Sequence, residues 1–315
     1  MYRALVIGCG NIGALYDFNN DQVQTHAKAY HLDSRFSLSV FDIDTTVAKT
    51  ISTKYNAEIV DVIDEVTLHR FDCVSICTPT DTHFHLLTMA VDAGVRVIIC
   101  EKPISNNSDE LDKAKSIYFN GKSKIIVNYI RRFQPSFIEL KNLVSEIMAQ
   151  QQLTNINIKY QRGFINNCSH AFDSIEFLIG DEMNLTEVKR HNVVYDHFDK
   201  DSTLSLMAIW NKVNLSIIGL SNVCFSHFEF DLYFEYHKIC IKNSGQNIEI
   251  YRAVKGEHFL QPLTIQDQYT RDQCLKNYMV NVIDMAYQLL NKEEQKDNFL
   301  QSIGLNQRML NYIND

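Results

Sequence analysis

The chain lacks the features that would mark a membrane-spanning, secreted or nucleic-acid-binding protein. No window approaches the roughly 18 uninterrupted apolar residues that a membrane span needs. Positive charge is in deficit: 30 lysines and arginines face 38 aspartates and glutamates, for a formal net charge of -8. That balance argues against a general nucleic-acid or membrane-surface binder, which needs concentrated lysine and arginine. With 4 prolines and 11 glycines in 315 residues, there is no room for long flexible linkers. No disulfide framework is visible either. Cys9, Cys73, Cys77, Cys100, Cys168, Cys224, Cys240 and Cys274 are scattered, several of them inside apolar runs, as thiols are used in a reducing compartment. Cys73 and Cys77 share an i, i+4 spacing, but no second Cys/His pair at zinc spacing follows, so no metal is expected. The first residues already read as a strand and a glycine turn, not as a charged and then apolar leader, which predicts a soluble, cytoplasmic protein.

What is present is an ordinary globular composition, 45% hydrophobic and 22% charged, in a chain long enough for two cores. Up to residue 128, short β-branched runs at 3–8, 38–42, 58–60, 73–77, 95–100 and 124–128 alternate with helix-period segments at 45–56, 82–93 and 108–119. That alternation predicts βαβ units around a buried parallel sheet. Beyond it the pattern predicts helices at 135–151 and 170–179 and a strand at 156–162. A long stretch of alternating strands follows between 204 and 251, then two helices at 270–291 and 296–314. The expected architecture is α/β: a doubly wound Rossmann domain over 1–128, followed by an α+β domain over 129–315 with an open, mostly antiparallel sheet. Phe228, Phe230 and Phe234 fall on one face of that sheet, and an apolar face needs cover. A homodimer or homotetramer built through the C-terminal sheet would supply it; the chain's own terminal helices are the alternative.

The first strand runs into Gly8-Cys9-Gly10-Asn11-Ile12-Gly13. Glycines at this spacing, between a strand and a helix, let backbone N–H groups approach a pyrophosphate. The second strand ends at Asp42, where a carboxylate can accept both hydroxyls of an adenosine ribose and repel a 2′-phosphate. NAD is therefore expected ahead of NADP. Gly13 and Asp42 are farther apart than the usual spacing of about 20 residues. The excess is assigned to an insertion at 16–24, rich in Asn, Asp and Gln. Asp44, followed by two threonines, reads as a helix N-cap.

Three further clusters resemble the Gfo/Idh/MocA family, the glucose-fructose oxidoreductase and inositol dehydrogenase group. They are Cys77-Thr78-Pro79-Thr80-Asp81-Thr82-His83, Glu101-Lys102-Pro103, and Asn128-Tyr129-Ile130-Arg131-Arg132-Phe133, the last followed by His170-Ala171-Phe172-Asp173. The resemblance implies that Thr78, Pro79, His83 and Glu101 lie beside the cofactor and that Lys102 lies near both nicotinamide and substrate. A buried lysine can carry the proton that hydride transfer to or from a carbinol requires. His170 resembles the family's catalytic histidine, and Asp173 the carboxylate that shapes the substrate pocket. Arg131 and Arg132 are candidates to bind a phosphate or carboxylate of the substrate. Many sugar-oxidising members carry an Asp four residues before that histidine, but here the residue is Asn166. An amide accepts no proton, so the work falls on Lys102 and His170. The Asn-rich segment resembles members acting on sugars or nucleotide sugars in polysaccharide pathways. His26 and Tyr30 are read as lining or packing the cofactor domain. A family member with a tightly bound, recycled cofactor and a non-catalytic nucleotide or sugar sensor are the alternatives.

Overall fold

A computed structural model of the chain describes residues 1–225, 227–253, 261–292 and 294–314. The chain divides into two compact units, Met1–Phe133 with Lys276–Gln307, and Gln134–Leu275 with Arg308–Asp315. Against a boundary expected at residue 128, the chain leaves the first unit at Phe133 and returns to it at Lys276. No described helix is long and apolar enough to cross a membrane.

In the first unit, β1 (Tyr2–Ile7), β2 (Phe36–Phe41), β3 (Glu58–Ile59), β4 (Cys73–Ile76), β5 (Val97–Cys100) and β6 (Lys124–Val127) form one parallel sheet. Its order is β3-β2-β1-β4-β5-β6. The central strands are covered on both faces: every residue of β4 and β5 is buried, and Ser75 is the one polar side chain among them. The crossovers carry α1 (His26–Leu32), α2 (Thr45–Tyr55), α3 (Glu65–Leu68), α4 (Thr80–Asp92) and α5 (Ser108–Asn120). Asp44 caps α2 by accepting the Thr46 N–H at 2.8 Å, and Asn107 caps α5 through the Asp109 N–H. The order reverses between β1 and β4, so their carboxyl ends flank the crevice where doubly wound sheets bind ligands.

The second unit contains α6 (Pro135–Met148), β7 (Leu153–Tyr160) and α7 (Ser169–Ile179), then β8 (Thr186–Val194), β9 (Thr203–Trp210) and β10 (Val213–Gly219). It continues with β11 (Phe228–Phe234), β12 (His237–Lys242), β13 (Asn247–Ala253) and β14 (Leu263–Ile265). These strands pair in the order β14-β13-β12-β11-β7-β10-β9-β8, antiparallel except for β7 beside β10. Two helices close the chain. α8 (Tyr278–Asn291) buries Met279, Val282, Ile283 and Ala286 in the core that also holds Val6 and Ile99, which is why this segment belongs to the first unit. The helix expected from residue 270 therefore starts eight residues later. α9 (Phe299–Asn314) follows it.

The alternation along β11 holds, but the argument drawn from it does not. Phe228, Phe230 and Phe234 are 1%, 1% and 6% exposed within the single chain, with α7 against β11. On the opposite face Asp231 pairs with Lys238 at 3.3 Å and the Ser216 hydroxyl donates to Asn157 Oδ1 at 2.7 Å, while Met207 and Ile218 on the same face are exposed. These phenylalanines need no second copy as cover, so they give no ground for self-association through the sheet.

Candidate functional site

The glycine loop is built from absent side chains. Gly8 has φ +91°, and a Cβ there would stand 2.9 Å from the Cys77 carbonyl group. A Cβ on Gly13 would lie 2.0 Å from the Gly8 oxygen, whereas one on Gly10 would meet no atom within 4 Å. The first and third glycines thus serve the protein's own packing, and the second faces open space. A one-turn π-helix, Asn11–Leu15, follows, in which Ala14 and Leu15 both donate to the Gly10 oxygen. The N–H groups of Asn11, Ile12 and Gly13 are the first-turn donors that a helix cannot satisfy internally. Beside the loop, Asp42 accepts the Cys9 N–H at 2.7 Å and the Asp44 N–H at 2.8 Å. Space at the second glycine, unclaimed amides and an adjacent carboxylate fit a dinucleotide, with its pyrophosphate on the loop and a ribose at Asp42.

The insertion at 16–24 is held to the first unit by Asp17. This fully buried carboxylate accepts the backbone N–H of Gln24 and both the N–H and the hydroxyl of Thr25. Val23 N–H donates to Asn277 Oδ1 at 2.8 Å, so the segment also meets the stretch that leads into α8.

Along the same carboxyl edge of the sheet, β4 leads to Thr78 and Pro79, β5 to Glu101 and Lys102, and β6 to Asn128. His83 is 1% exposed, with its ring nitrogens 2.8 Å from the Pro103 oxygen and 2.7 Å from the Thr78 oxygen. It therefore ties the Thr78 turn to the Glu-Lys-Pro segment. Glu101 takes Asn128 Nδ2–H at 2.6 Å and lies 3.0 Å from His26 Nε2. Burial alone would raise its pKa, but the hydrogen bond and charge of His26, the amide of Asn128 and the charge of Lys102 together hold it below the ordinary glutamate value. Asn128 Oδ1 is buried without a hydrogen-bond partner among the described residues, an acceptor that a bound group can use. Lys102 is half-buried. Tyr278, at the start of α8, was not singled out from the sequence. Burial first, and the Glu101 charge second, push its phenol pKa up. Arg131 is only 5% exposed and so is not a surface cation, and Arg132 donates to Gln301 Oε1 at 2.9 Å.

In the second unit, β7 ends in Tyr160, and the chain then turns through Arg162 and Gly163, both at positive φ. A second one-turn π-helix, Phe164–Cys168, leads into α7. Asp201 clamps this turn by accepting the Ile165 N–H at 2.9 Å and the Asn166 N–H at 2.8 Å. A Cβ on Gly163 would stand 2.1 Å from Asp201 Oδ2, so glycine is needed both for the backbone conformation and for the carboxylate. Asn167 holds the turn from the other side, donating to the Gln161 and His227 oxygens. His170, in the first turn of α7, lies parallel to the Phe228 ring with centroids 6.1 Å apart. Asp173, one turn on, is 1% exposed. Asn166, His170 and Asp173 thus sit together in the second unit, and Glu101, Lys102 and Asn128 in the first. Asp201 was not among the expected site residues. Asp201 acts on a turn far behind it in sequence, and no motif marks it.

Together, the six-stranded parallel sheet and the glycine loop after β1 form a Rossmann-type domain. Residues 2–129 match the GFO_IDH_MocA family model, described as an oxidoreductase family with an NAD-binding Rossmann fold. Its relatives include the inositol 2-dehydrogenase of Rhizobium meliloti, 29% identical over 56% of this chain and 54% of that protein. The UDP-N-acetylglucosamine 3-dehydrogenase of Acidithiobacillus ferrooxidans is 29% identical over 44% of this chain and 40% of its own length. The chain spans about half the length of the curated relatives it matches. A solved structure of that Acidithiobacillus enzyme superposes with a TM-score of 0.75 at 18% identity, covering 98% of this chain and 94% of that one; the fold extends through both units.

Proposed function

We propose that the chain is an NAD-dependent dehydrogenase that moves a hydride between a secondary hydroxyl of a sugar or nucleotide sugar and nicotinamide. Oxidising a carbinol removes a hydride from carbon and a proton from oxygen. NAD, when bound, supplies the hydride acceptor. The remaining tasks fall to the chain. The open space at Gly10 and the amides that follow receive the pyrophosphate, and Asp42 receives the ribose. Its negative charge, followed by Ile43 and no cation, disfavours a 2′-phosphate. Thr78, Pro79 and His83 shape the cofactor side of the pocket, and Lys102 Nζ takes the hydroxyl proton as the C=O forms. His170 acts as the hydrogen-bonding acid/base toward the substrate, with Asn166 and Asp173 shaping its surroundings. The relatives that oxidise inositol and UDP-N-acetylglucosamine support this substrate class.

The observation that carries the reading is the place of Lys102, directly after the largely covered carboxylate of Glu101 on the same sheet edge as the glycine loop. The test is NADH production by the purified protein on a panel of polyols, free sugars and UDP-, GDP- and dTDP-sugars, repeated with Lys102→Met. The reading expects one selective substrate and a loss of about 10²–10⁴ in kcat for the variant, with NAD binding retained. An inert panel, or a variant as active as the parent, would contradict it.

A further inference from the structure

The amino edge of the first sheet, opposite the edge that carries the glycine loop, holds a hollow of about 660 Å³ that the proposed function does not use. The turns before β5 and β6 and the end of α8 enclose it, all within the first unit. Its size is that of a small-molecule site. Its floor is apolar, formed by the buried side chains of Val95, Leu289 and Leu290. Every ionisable side chain that lines it is a cation: Arg96, Lys122, Lys124 and Lys292. In a chain of net charge -8, this concentration runs against the overall balance.

The hollow is held open by the chain's own hydrogen bonds. Ser123 Oγ donates to the Val95 oxygen at 2.6 Å and so joins the turn before β6 to the turn before β5. Arg96 donates to the Leu290 oxygen at 2.7 Å and joins that second turn to α8. Asp72, 3.5 Å from Arg96, offsets part of one charge. Lys122, Lys124 and Lys292 make no ion pair with any described carboxylate. Cations are ordinary beyond a helix C-terminus, and Lys122 and Lys292 lie just past the ends of α5 and α8. That accounts for two of the four. Lys124 begins a strand, and Arg96 already serves a terminal carbonyl of α8, so the cations exceed what the helix ends require. Like charges around one hollow repel, and a bound anion relieves that repulsion.

We propose that this hollow binds a compact anion carrying two or more negative charges, a diphosphate or a polycarboxylate. Lys122, Lys124 and Lys292 meet the anion, and Arg96 is the fixed wall beside them. The site lies at the opposite end of the sheet from the glycine loop, and the inference does not rest on the dehydrogenase reading.

The experiment is calorimetric titration of the full chain with inorganic pyrophosphate and with citrate, at about 50 mM and about 200 mM salt. The parent is compared with a triple variant, Lys122→Gln, Lys124→Gln and Lys292→Gln. A control, Lys113→Gln, Lys200→Gln and Lys212→Gln, removes the same charge from exposed positions elsewhere. Saturable binding is expected in the parent, weaker at the higher salt. Affinity should be at least about tenfold lower in the site variant and within about twofold of the parent in the control. Tighter binding of pyrophosphate than of citrate assigns the site to diphosphates, and the reverse assigns it to polycarboxylates. Lysine acetylation of the parent, read by mass spectrometry, locates the site without any variant: the bound probe should slow labelling of Lys122, Lys124 and Lys292 and leave Lys113, Lys200 and Lys212 unchanged. No binding of either probe up to about 10 mM would overturn the proposal. Equal losses in the two triple variants, or binding that leaves the three site lysines as reactive as before, would overturn it as well. If the site variant does not fold, the labelling of the parent decides.

Discussion

The turn at Gly10 and the turn at Gly163 begin alike and end as opposites. Each has a glycine before a one-turn π-helix, and each presents backbone N–H groups at its open end. At Gly163 the protein supplies the anion itself, because the Asp201 carboxylate takes the N–H groups of Ile165 and Asn166. At Gly10 the nearest carboxylate, Asp42, takes the Cys9 N–H one residue before the glycine and leaves the amides beyond it to other acceptors. The same backbone device is therefore spent on stability in one unit and, in the function proposed here, kept for an anionic ligand in the other. A glycine turn at a helix start does not by itself indicate a phosphate site; what matters is whether the chain already fills it.

The largest effect that tests this contrast is expected at Gly13. Valine there places a Cβ against the Gly8 carbonyl, so the loop must move. NAD affinity measured by calorimetry should fall by at least about 100-fold, with destabilisation of about 1–3 kcal/mol or more. A Gly13→Val protein that binds NAD normally would break the comparison at its first term. The next effect belongs to the other turn. Asp201→Ala strips two N–H groups of a charged acceptor, costing about 2–4 kcal/mol in urea or thermal unfolding. NAD affinity should be unaffected, since Asp201 belongs to the second unit. A loss of NAD binding as large as the loss of stability would show that the two turns are not independent. The smallest effect sharpens the ligand side. Asp42→Asn keeps an acceptor for the Cys9 N–H but removes the charge, and NAD should be preferred over NADP by about 1–2 kcal/mol less than in the parent. Unchanged selectivity in competition binding would mean that Asp42 serves the loop alone.

The sequence exposes the Gly10 turn and hides the Gly163 turn for a physical reason. Phosphate loops are made by residues close together in the chain, so the glycines and their strand appear as a motif. The buried parallel strands appear as well, because both faces are covered and the runs at β4 and β5 are apolar but for Ser75. The Asp201 clamp joins segments far apart, and neither segment carries a periodic signal. β8 escaped notice because nearly all its residues are exposed, which leaves no alternation to read. The return of the chain to the first unit is equally silent: the buried face of α8 shows an amphipathic helix, not the core it belongs to. Arg131 was legible as a charge and not as a buried one. His26 was visible as part of a family-like stretch, but its partner, Glu101, lies 75 positions away, so its hydrogen bond could not be read from spacing.

The central claim is that the first unit leaves the space at its second glycine for the pyrophosphate of NAD. Gly10→Ala tests it most directly, because the added methyl meets no protein atom within 4 Å and has no reason to disturb the fold. Calorimetric titration of the parent and Gly10→Ala with NAD, beside their thermal unfolding, should show unfolding midpoints within about 2 °C. Affinity should be at least about tenfold weaker in the variant, a difference of roughly 1.4 kcal/mol. Equal affinity for NAD in the two proteins would contradict the account.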